Sequence, residues 1–336
     1  MLKEYKKCIF CNSNNLKIQK NQKYNTNFYI QSIISDFELS KNFLKKIKVY
    51  KCKSCYIIQN NPWFDENFCR KIYSNVYGQH NRGWTNLIRY IKKKDVPNHG
   101  KLFDILNKNL KIKTYAEFNS PFMGMFFNFF DNEIKKNSRV IFFFKKILNY
   151  LTSRQVAGLP KNIQKKSNSK SKKALNYINN FRNKNIKEKT KKYLFEDNSI
   201  LSWGQNDNYK SVSSKSFATE FFNIEISKIK KLKKKIDLFG IFHTLDHTLE
   251  PKKIFDFAIG NSKCLVVYCH VDEMLNKQHL FSITKNFLKY LKKKKLYFID
   301  ITSYIDKKFT FPELYFVCSK QKNYINTIKS YVSKKK

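Results

Sequence analysis

The chain is poor in acidic residues, glycine and proline. Its 336 residues include 25 Asp and Glu against 67 Lys and Arg, which gives a formal net charge of +42. Only 8 glycines and 6 prolines are present, whereas there are 31 Phe and 20 Tyr. Residues with A/T-rich codons are in excess, so part of the charge reflects base composition. The rest indicates association with an anionic partner, because net charge affects what a protein associates with rather than how it folds.

Long apolar runs are also missing. No stretch approaches the roughly 20 apolar residues that a membrane-spanning helix requires. The Phe-rich stretches 122–130 and 140–144 are short, and the first eight residues contain no apolar signal core. We therefore expect no membrane span and a cytoplasmic location. In a reducing compartment the 8 cysteines are thiols or metal ligands rather than disulfides.

The length fits two or three domains, and the sequence changes character along the chain. A low-complexity basic stretch at 161–173 has almost no apolar content to bury. We divide the chain into a cysteine-rich domain (1–75), a helical connector (76–112) with a helix near 84–93, an α/β domain (113–318) with a basic insertion at about 126–192, and a basic C-terminal tail (319–336).

Apolar runs and amphipathic segments alternate in the α/β domain, which favours a largely parallel sheet. The predicted strands are 112–118, 236–242, 264–269, 296–301 and 314–318. Pro251–Ile259 is a predicted helix, with Pro at its first turn and Gly260 just past its end. A second helix is predicted over His279–Leu291. The last two strands are close enough to form an antiparallel hairpin at the sheet edge.

Two CxxC pairs, Cys8 with Cys11 and Cys52 with Cys55, are separated by about 40 residues. Two thiolates three positions apart bind one ion from a tight turn, and two such turns complete the tetrahedral four-sulfur shell of Zn²⁺. A closed four-thiolate site has no open position, so this zinc would be structural. Two redox-active CxxC pairs are the alternative. Cys69 is predicted to be a small buried residue.

The residues after the second pair carry a family resemblance. The segments Ile57–Trp63 (IIQNNPW) and Ile72–His80 (IYSNVYGQH) follow the second CxxC. This arrangement over residues 5–80 resembles the zinc-binding N-terminal domain that precedes a class of S-adenosylmethionine-dependent methyltransferases, including sugar C-methyltransferases. The resemblance implies a small N-terminal zinc-binding domain and a Rossmann-like, doubly wound methyltransferase sheet.

The segment Tyr115–Gly124 (YAEFNSPFMG) resembles the first cofactor motif of that family. In this motif a strand ends in an acidic residue and a glycine-containing turn leads into a helix. The resemblance implies that the cofactor S-adenosylmethionine is bound by Glu117, Asn119, Pro121 and Gly124. Asn119 stands where the family has Gly, and Asn is the best substitute where φ is positive.

His243-Thr-Leu-Asp-His247, followed by Glu250-Pro251, resembles the fourth-strand motif of the same family, whose usual form is HxxEH and then DP. The resemblance implies that Asp246 and His247 face the methyl acceptor, with Tyr77 and His80 from the linker. A histidine near its ordinary pKa is a suitable general base. The alternative is that His243 and His247 bond loop backbone and that Tyr77 only packs on a helix.

A second carboxylate is expected after the second strand, where it would hold the ribose hydroxyls of the cofactor. The stretch 140–144 ends in Lys145 and Lys146 and offers no acid. Glu196 and Asp197, at the end of a KKYLFED segment, are the other candidates.

Three functions are compatible with these features. The first is methyl transfer from S-adenosylmethionine to a small-molecule acceptor such as a nucleotide-sugar, with a structural zinc. The second is a non-catalytic relative that keeps the fold for binding. The third is a zinc-ribbon nucleic-acid binder that uses Lys-rich stretches such as 228–235 and 292–295, although no aromatic stacking platform accompanies them. We favour the first.

Overall fold

The computed structural model describes residues 2–19, 34–35, 37–40, 42–72, 99–118, 125, 189–201, 220–223, 225–226, 232–271, 279–305 and 313–334. The predicted helix near 84–93 and the stretches 140–144 and 161–173 lie outside these residues. Among the described residues, no helix combines the length and the apolar character that crossing a bilayer requires.

The N-terminal lobe is built from short antiparallel strands around the two CxxC turns. Its elements are β1 (Leu2–Lys3), β2 (Leu16–Ile18), α1 (Phe43–Lys46), β3 (Lys48–Cys52), β4 (Ile58–Asn61), β5 (Trp63–Phe64) and α2 (Glu66–Ile72). Strands β2, β3 and β4 pair in that order, and β1 pairs with β5. Strands this short have little core of their own, so the lobe depends on the cysteines and on the neighbouring domain.

The remaining elements form an α/β unit around a seven-stranded sheet. They are α3 (His99–Leu110), β6 (Thr114–Phe118), β7 (Lys191–Glu196), β8 (Glu220–Asn223), β9 (Ile236–Phe242), α4 (Pro251–Asn261), β10 (Ser262–His270), β11 (Phe281–Ser282), α5 (Phe287–Lys293), β12 (Tyr297–Asp300), α6 (Thr302–Ile305), β13 (Glu313–Ser319) and α7 (Lys322–Ser333).

The strand order in this sheet is β8-β7-β6-β9-β10-β13-β12. The pairs from β8 to β10 are parallel, and β13 runs antiparallel to both β10 and β12. Counted from β6, the order is 3-2-1-4-5-7-6, which is the doubly wound Rossmann order with one antiparallel strand inserted before the last. The predicted Rossmann-like α/β fold is therefore confirmed.

Each face of the sheet is covered, which explains why its strands are almost continuously apolar. Tyr115 lies in a cluster with buried residues of α3, α6 and α7, such as Leu102 and Ile325. Phe118, on the opposite face of the same strand, lies in a second cluster with residues of α4, α5 and the cysteine lobe. Residues 319–336, expected to be a basic tail, contain α7, whose Ile325, Ile328 and Val332 are buried against the sheet.

The predicted helix over His279–Leu291 is wrong in its first half. Phe281–Ser282 forms β11 and pairs antiparallel with Gln59 and Ile58 of β4, and the helix α5 begins only at Phe287. Pairing with the cysteine lobe overrides the local helical spacing. Gly260 also does not end its helix, because α4 continues to Asn261 and passes directly into β10.

The cysteine lobe is joined to the α/β unit by hydrogen bonds from side chains to backbone carbonyls and by aromatic packing. The Asn60 side-chain amide donates to the carbonyl oxygen of His279 at 2.7 Å, and the Thr284 hydroxyl donates to the carbonyl oxygen of Tyr56 at 2.7 Å. Between Cys8 and Cys11, the Phe10 ring makes edge contacts with Phe255 and Phe287, with ring centroids 5.7 and 5.0 Å apart. The two parts share one continuous apolar core.

Replacing Phe10 with Ala should lower the free energy of unfolding by about 3–5 kcal/mol, because the change leaves a cavity between the lobe and the sheet. Chemical denaturation followed by tryptophan fluorescence measures this loss. Ile18→Ala is the matched control, since that side chain is 50% exposed and its loss should cost less than about 0.5 kcal/mol. Equal effects for the two variants would show that Phe10 does not hold the lobe in place.

Candidate functional site

The four cysteines of the two CxxC pairs lie together. The Sγ atoms of Cys8 and Cys55 are 3.5 Å apart, and those of Cys11 and Cys52 are 3.6 Å apart. All four sulfurs lie within 4.8 Å of one another. Four sulfurs bound to one tetrahedral Zn²⁺ at about 2.3 Å are about 3.8 Å apart, so the cluster fits this ion closely.

The two turns that present the sulfurs have the same backbone design. The amide of Asn12 donates to the carbonyl of Cys8 at 2.9 Å, and the amide of Tyr56 donates to the carbonyl of Cys52 at 3.0 Å. Asn12 and Tyr56 each follow the first cysteine of their pair by four residues, and both have a positive φ, 58° and 66°. This repeated turn brings both thiols of a pair to one side, as a metal-binding turn requires.

The electrostatics of the cluster favour a bound cation. Hydrogen bonds from Cys55 and Cys8 lower the pKa of Cys52, whereas contact with Cys52 and Cys8 raises the pKa of Cys55. Without a bound cation, the four neighbouring thiols therefore do not all ionise, because adjacent negative charges repel. A divalent cation would remove that repulsion and would hold all four as thiolates.

At the carboxyl end of β6, Glu117 is fully buried. Its carboxylate accepts hydrogen bonds from the Tyr115 hydroxyl and from the backbone amide of Met125. Burial and the nearby carboxylate raise the pKa of Tyr115 well above its usual value, so the hydroxyl remains a donor. Glu117 therefore connects β6 to Met125. Asn119, Pro121 and Gly124, between these two points, lie outside the described residues.

Gly240 of β9 makes room for the Tyr115–Glu117 pair. Glu117 and Gly240 are register partners on adjacent parallel strands. A Cβ atom at position 240 would lie 2.6 Å from the Tyr115 hydroxyl oxygen and 2.4 Å from the Phe242 ring. Any larger residue would displace the hydroxyl from the carboxylate, so the glycine is required by close packing.

The end of β7 distinguishes the two candidate carboxylates that follow the second strand. Both oxygens of Asp197 are already used by local bonds: Oδ1 accepts from the amide and hydroxyl of Ser199 at 2.9 and 2.5 Å, and Oδ2 accepts from the amide of Ile226 at 2.7 Å. Asp197 therefore shapes the loop. Glu196 is the last residue of β7 and is partly exposed.

A cluster of histidines and acids lies at the ends of β9 and β10. The Nδ1 atom of His270 is 3.2 Å from Oδ2 of Asp246, and its Nε2 atom is 3.8 Å from Oε1 of Glu313. The Nε2 atom of His247 is 3.9 Å from the same Asp246 oxygen. The ring of His243 lies 4.2 Å from that of His270 and the ring of His279 lies 4.7 Å from that of His247, measured between centroids.

Asp246 is the electrostatic centre of this cluster. It is 94% buried, which by itself raises a carboxyl pKa, but the neighbouring His247 and the hydrogen bond from His270 outweigh burial and hold the pKa of Asp246 well below its ordinary value. Its Oδ1 atom is buried and has no hydrogen-bond partner among the described residues. A buried carboxylate of this kind orients the imidazoles around it.

The sequence motifs located only part of this cluster. They predict Asp246 and His247 as site residues, and the structure brings these two together with three residues that the motifs missed: His270, His279 and Glu313. Four of the six histidines in the chain fall between positions 243 and 279, and that density is the signal that could have found them. Tyr77 and His80 lie outside the described residues.

Three solved structures provide distant comparisons. The plantazolicin methyltransferase BpumL in complex with SAH is 8% identical, with a TM-score of 0.36 over 76% of this chain and 91% of that one. The plantazolicin methyltransferase BamL, in complex with a triazolic desmethylPZN analogue and SAH, is 9% identical, with a TM-score of 0.35 over 76% and 99%. The O-MT segment of StiE is 11% identical, with a TM-score of 0.31 over 70% and 78%.

No protein-family model matches the chain, and no curated protein is similar to it. TM-scores and identities as low as those above carry no information on activity. The strand order therefore defines the fold, and any activity has to follow from the residues of the site.

Replacing Tyr115 with Phe should lower the free energy of unfolding by about 1.5–3 kcal/mol, because a buried carboxylate loses one of its donors. Urea denaturation monitored by circular dichroism measures the change. Tyr297→Phe is the control, since Tyr297 is 43% exposed and its hydroxyl can bond to water. A Tyr115→Phe chain as stable as the parent would show that this hydrogen bond does not stabilise the fold.

Proposed function

We propose that the protein is an S-adenosylmethionine-dependent methyltransferase that acts on a small-molecule acceptor and is stabilised by a zinc ion in its N-terminal lobe. The observation that carries this proposal is the strand order 3-2-1-4-5-7-6 with an antiparallel seventh strand. That arrangement is the one expected of the methyltransferase family that the sequence motifs resemble. In open α/β sheets the ligand binds at the carboxyl ends of the strands, where the order reverses.

The cofactor is proposed to bind at the ends of β6 and β7. Glu117 would act by fixing the start of the segment between β6 and Met125, which contains Asn119, Pro121 and Gly124, the residues that the family motif implies for cofactor binding. Glu196 is the better candidate for the ribose hydroxyls, because it is partly exposed at the end of β7, whereas Asp197 is buried and bonds to Ser199 and Ile226. Strands β6 and β7 are direct parallel neighbours, so the two carboxylates follow adjacent strand ends.

The acceptor is proposed to bind beside β9, where the histidine cluster lies. The sulfonium of the cofactor is already an electrophile, so the protein has to position the acceptor and remove its proton. His247 is proposed as the general base, with Asp246 ionised next to it and with Tyr77 and His80 completing the pocket from the linker. The choice of a nucleotide-sugar as acceptor comes from the sequence resemblance.

Calorimetric titration with S-adenosylhomocysteine tests the proposed cofactor site directly. The parent chain should bind one equivalent. Glu117→Ala should weaken binding about tenfold or more, since the loss of a charge-assisted bond to the Met125 amide costs more than about 1.4 kcal/mol.

Glu117→Gln is the matched variant for this test, because it keeps an acceptor oxygen for Tyr115 and Met125 while removing the charge. It should retain most of the affinity if Glu117 acts by holding the loop. A folded parent chain that binds neither S-adenosylhomocysteine nor S-adenosylmethionine would contradict the proposal and favour a non-catalytic binding protein. Salt-sensitive retention on nucleic acid without cofactor binding would favour the third function.

The zinc proposal rests on the four-sulfur cluster, Cys8, Cys11, Cys52 and Cys55. The purified chain should carry about one Zn²⁺, and Cys52→Ser should lose it and melt at a lower temperature, because metal binding at a structural site is also folding energy. Elemental analysis and a thermal melt measure both effects. Cys69→Ser is the control, since Cys69 is buried and its thiol donates to the Phe64 carbonyl rather than joining the four-sulfur cluster. Equal zinc content in the two variants would rule out this ligand set.

A further inference from the structure

We propose that His243, His270 and Glu313 bind a second metal ion, a divalent transition-metal ion of the Zn²⁺ or Co²⁺ type, at the edge of the sheet. The site is separate from the four cysteines, and two of its three residues, His270 and Glu313, lie outside the sequence motifs. Its part in catalysis rests on the proposed function, because it lies beside the proposed acceptor site. The binding of the ion itself does not rest on that function.

The fold brings the three side chains together from three adjacent strands. His270 and Glu313 are register partners on β10 and β13, so their side chains project from the same face of the sheet. His243 follows directly after β9, the other neighbour of β10, and its backbone amide donates to the carbonyl of Tyr268 at 2.9 Å. One ligand atom from each of the three residues lies within 4.8 Å of the other two.

The separation of His270 and Glu313 suits one ion. The Nε2 atom of His270 is 3.8 Å from Oε1 of Glu313. Two ligand atoms that each lie about 2.1 Å from one Zn²⁺ ion can be separated by up to about 4.2 Å, so an ion fits between these two without a change of backbone. A direct hydrogen bond would require about 3 Å, which the pair does not reach.

The orientation of His270 is already that of a ligand. Its Nδ1 atom bonds to the buried carboxylate of Asp246 at 3.2 Å, which leaves Nε2 directed to Glu313. Metal-bound histidines are usually held in this way by a carboxylate on the other ring nitrogen, which fixes the tautomer and raises the basicity of the ligand. Asp246 would then be a positioning residue for the ion as well as a neighbour of His247.

The ligand set indicates the class of ion. Two imidazoles and one carboxylate suit Zn²⁺, Co²⁺ and related ions, whereas Mg²⁺ and Ca²⁺ prefer shells made of oxygen. Three protein ligands leave a coordination position open, as in catalytic sites and unlike the closed four-cysteine cluster. The side chain of His270 is 30% exposed, so the site is reached from solvent. An oxygen atom of the acceptor is the chemical group that an open position of this kind would polarise.

A neighbouring triad, Asp246, His247 and His279, has ligand atoms equally close together. We assign the ion to His243, His270 and Glu313 because that triad is partly exposed, whereas all three residues of the other triad are buried. The two triads share no ligand, so substitutions in one or the other separate them.

The test is a titration of the full, zinc-containing chain with Co²⁺, followed by calorimetry and visible absorption. We expect one Co²⁺ to bind with weak d–d bands and without the strong sulfur-to-cobalt charge-transfer band that exchange at the cysteines would give. Glu313→Gln and His243→Gln should each weaken binding at least tenfold. Asp246→Asn should weaken it about 10–100-fold, as the loss of a partner of a metal-bound histidine does.

The controls locate the ion. His99→Gln, at the start of α3, should leave Co²⁺ affinity unchanged, and His247→Gln should change it less than threefold. Circular dichroism and a thermal melt test whether each variant is folded. His270→Gln replaces any variant that does not fold. No Co²⁺ bound beyond the cysteine cluster would overturn the proposal, as would loss of the ion in His247→Gln but not in Glu313→Gln.

The same samples separate this proposal from the proposed function. Co²⁺ binding that depends on Glu313, in a chain that does not bind S-adenosylhomocysteine, would support the metal site and contradict the methyltransferase proposal. Binding of S-adenosylhomocysteine with no such Co²⁺ site would support the methyltransferase proposal and overturn the metal site.

Discussion

The parallel pairing of β9 with β6 on one side and with β10 on the other is the constraint on which the rest of the structure depends. Parallel strands in register end along one line, so the residues that follow them meet whatever their separation in sequence. Glu117, the His243–His247 turn and His270 lie at the same edge of the sheet for this reason. The pairing also requires Gly240, because only a residue without a side chain leaves space for the hydroxyl of Tyr115.

The cysteine lobe is an extension of the same core rather than a separate body. Its sheet accepts β11, a strand that comes from the α/β unit between β10 and α5. Phe10, which lies between two of the cysteines, packs into the aromatic cluster of α4 and α5. A metal ion in the four-sulfur cluster would therefore stabilise the packing over one whole face of the sheet, including the segment from His279 to Thr284.

The histidine cluster concentrates several titratable groups in a small volume of a chain whose net charge is strongly positive. Among the described residues, Asp246 and Glu313 are the carboxylates that lie against these imidazoles, and both side chains are at least nine-tenths buried. Such groups are costly to bury unless each has a defined electrostatic partner. Asp246 would therefore serve both proposals. It lies beside His247, the proposed general base, and it bonds to His270, a proposed ligand of the metal ion.

Local patterns were sufficient for several elements. The apolar runs at 236–242 and 264–269 predicted β9 and β10 within two residues, because strands buried on both faces need continuous apolar sequence. The doubled CxxC spacing predicted the four-cysteine cluster, since the geometry of each turn is encoded within five residues. The fourth-strand motif placed Asp246 and His247 at the end of β9 for the same local reason.

Other features were decided only by the tertiary structure. The spacing of Leu280 and Ile283 indicated a helix, but pairing of Phe281 with Gln59 made that segment a strand, because hydrogen bonds to a distant edge outweighed local preference. Only the structure shows that Ser199 and Ile226 bond to the carboxylate of Asp197, which is why Glu196 is the preferred candidate. The sequence by itself determined the strands β6, β9, β10, β12 and β13, the cysteine turns and the order of the motifs. Only the register between β10 and β13 decided that His270 lies opposite Glu313, because contacts between strands depend on pairing that no single segment encodes.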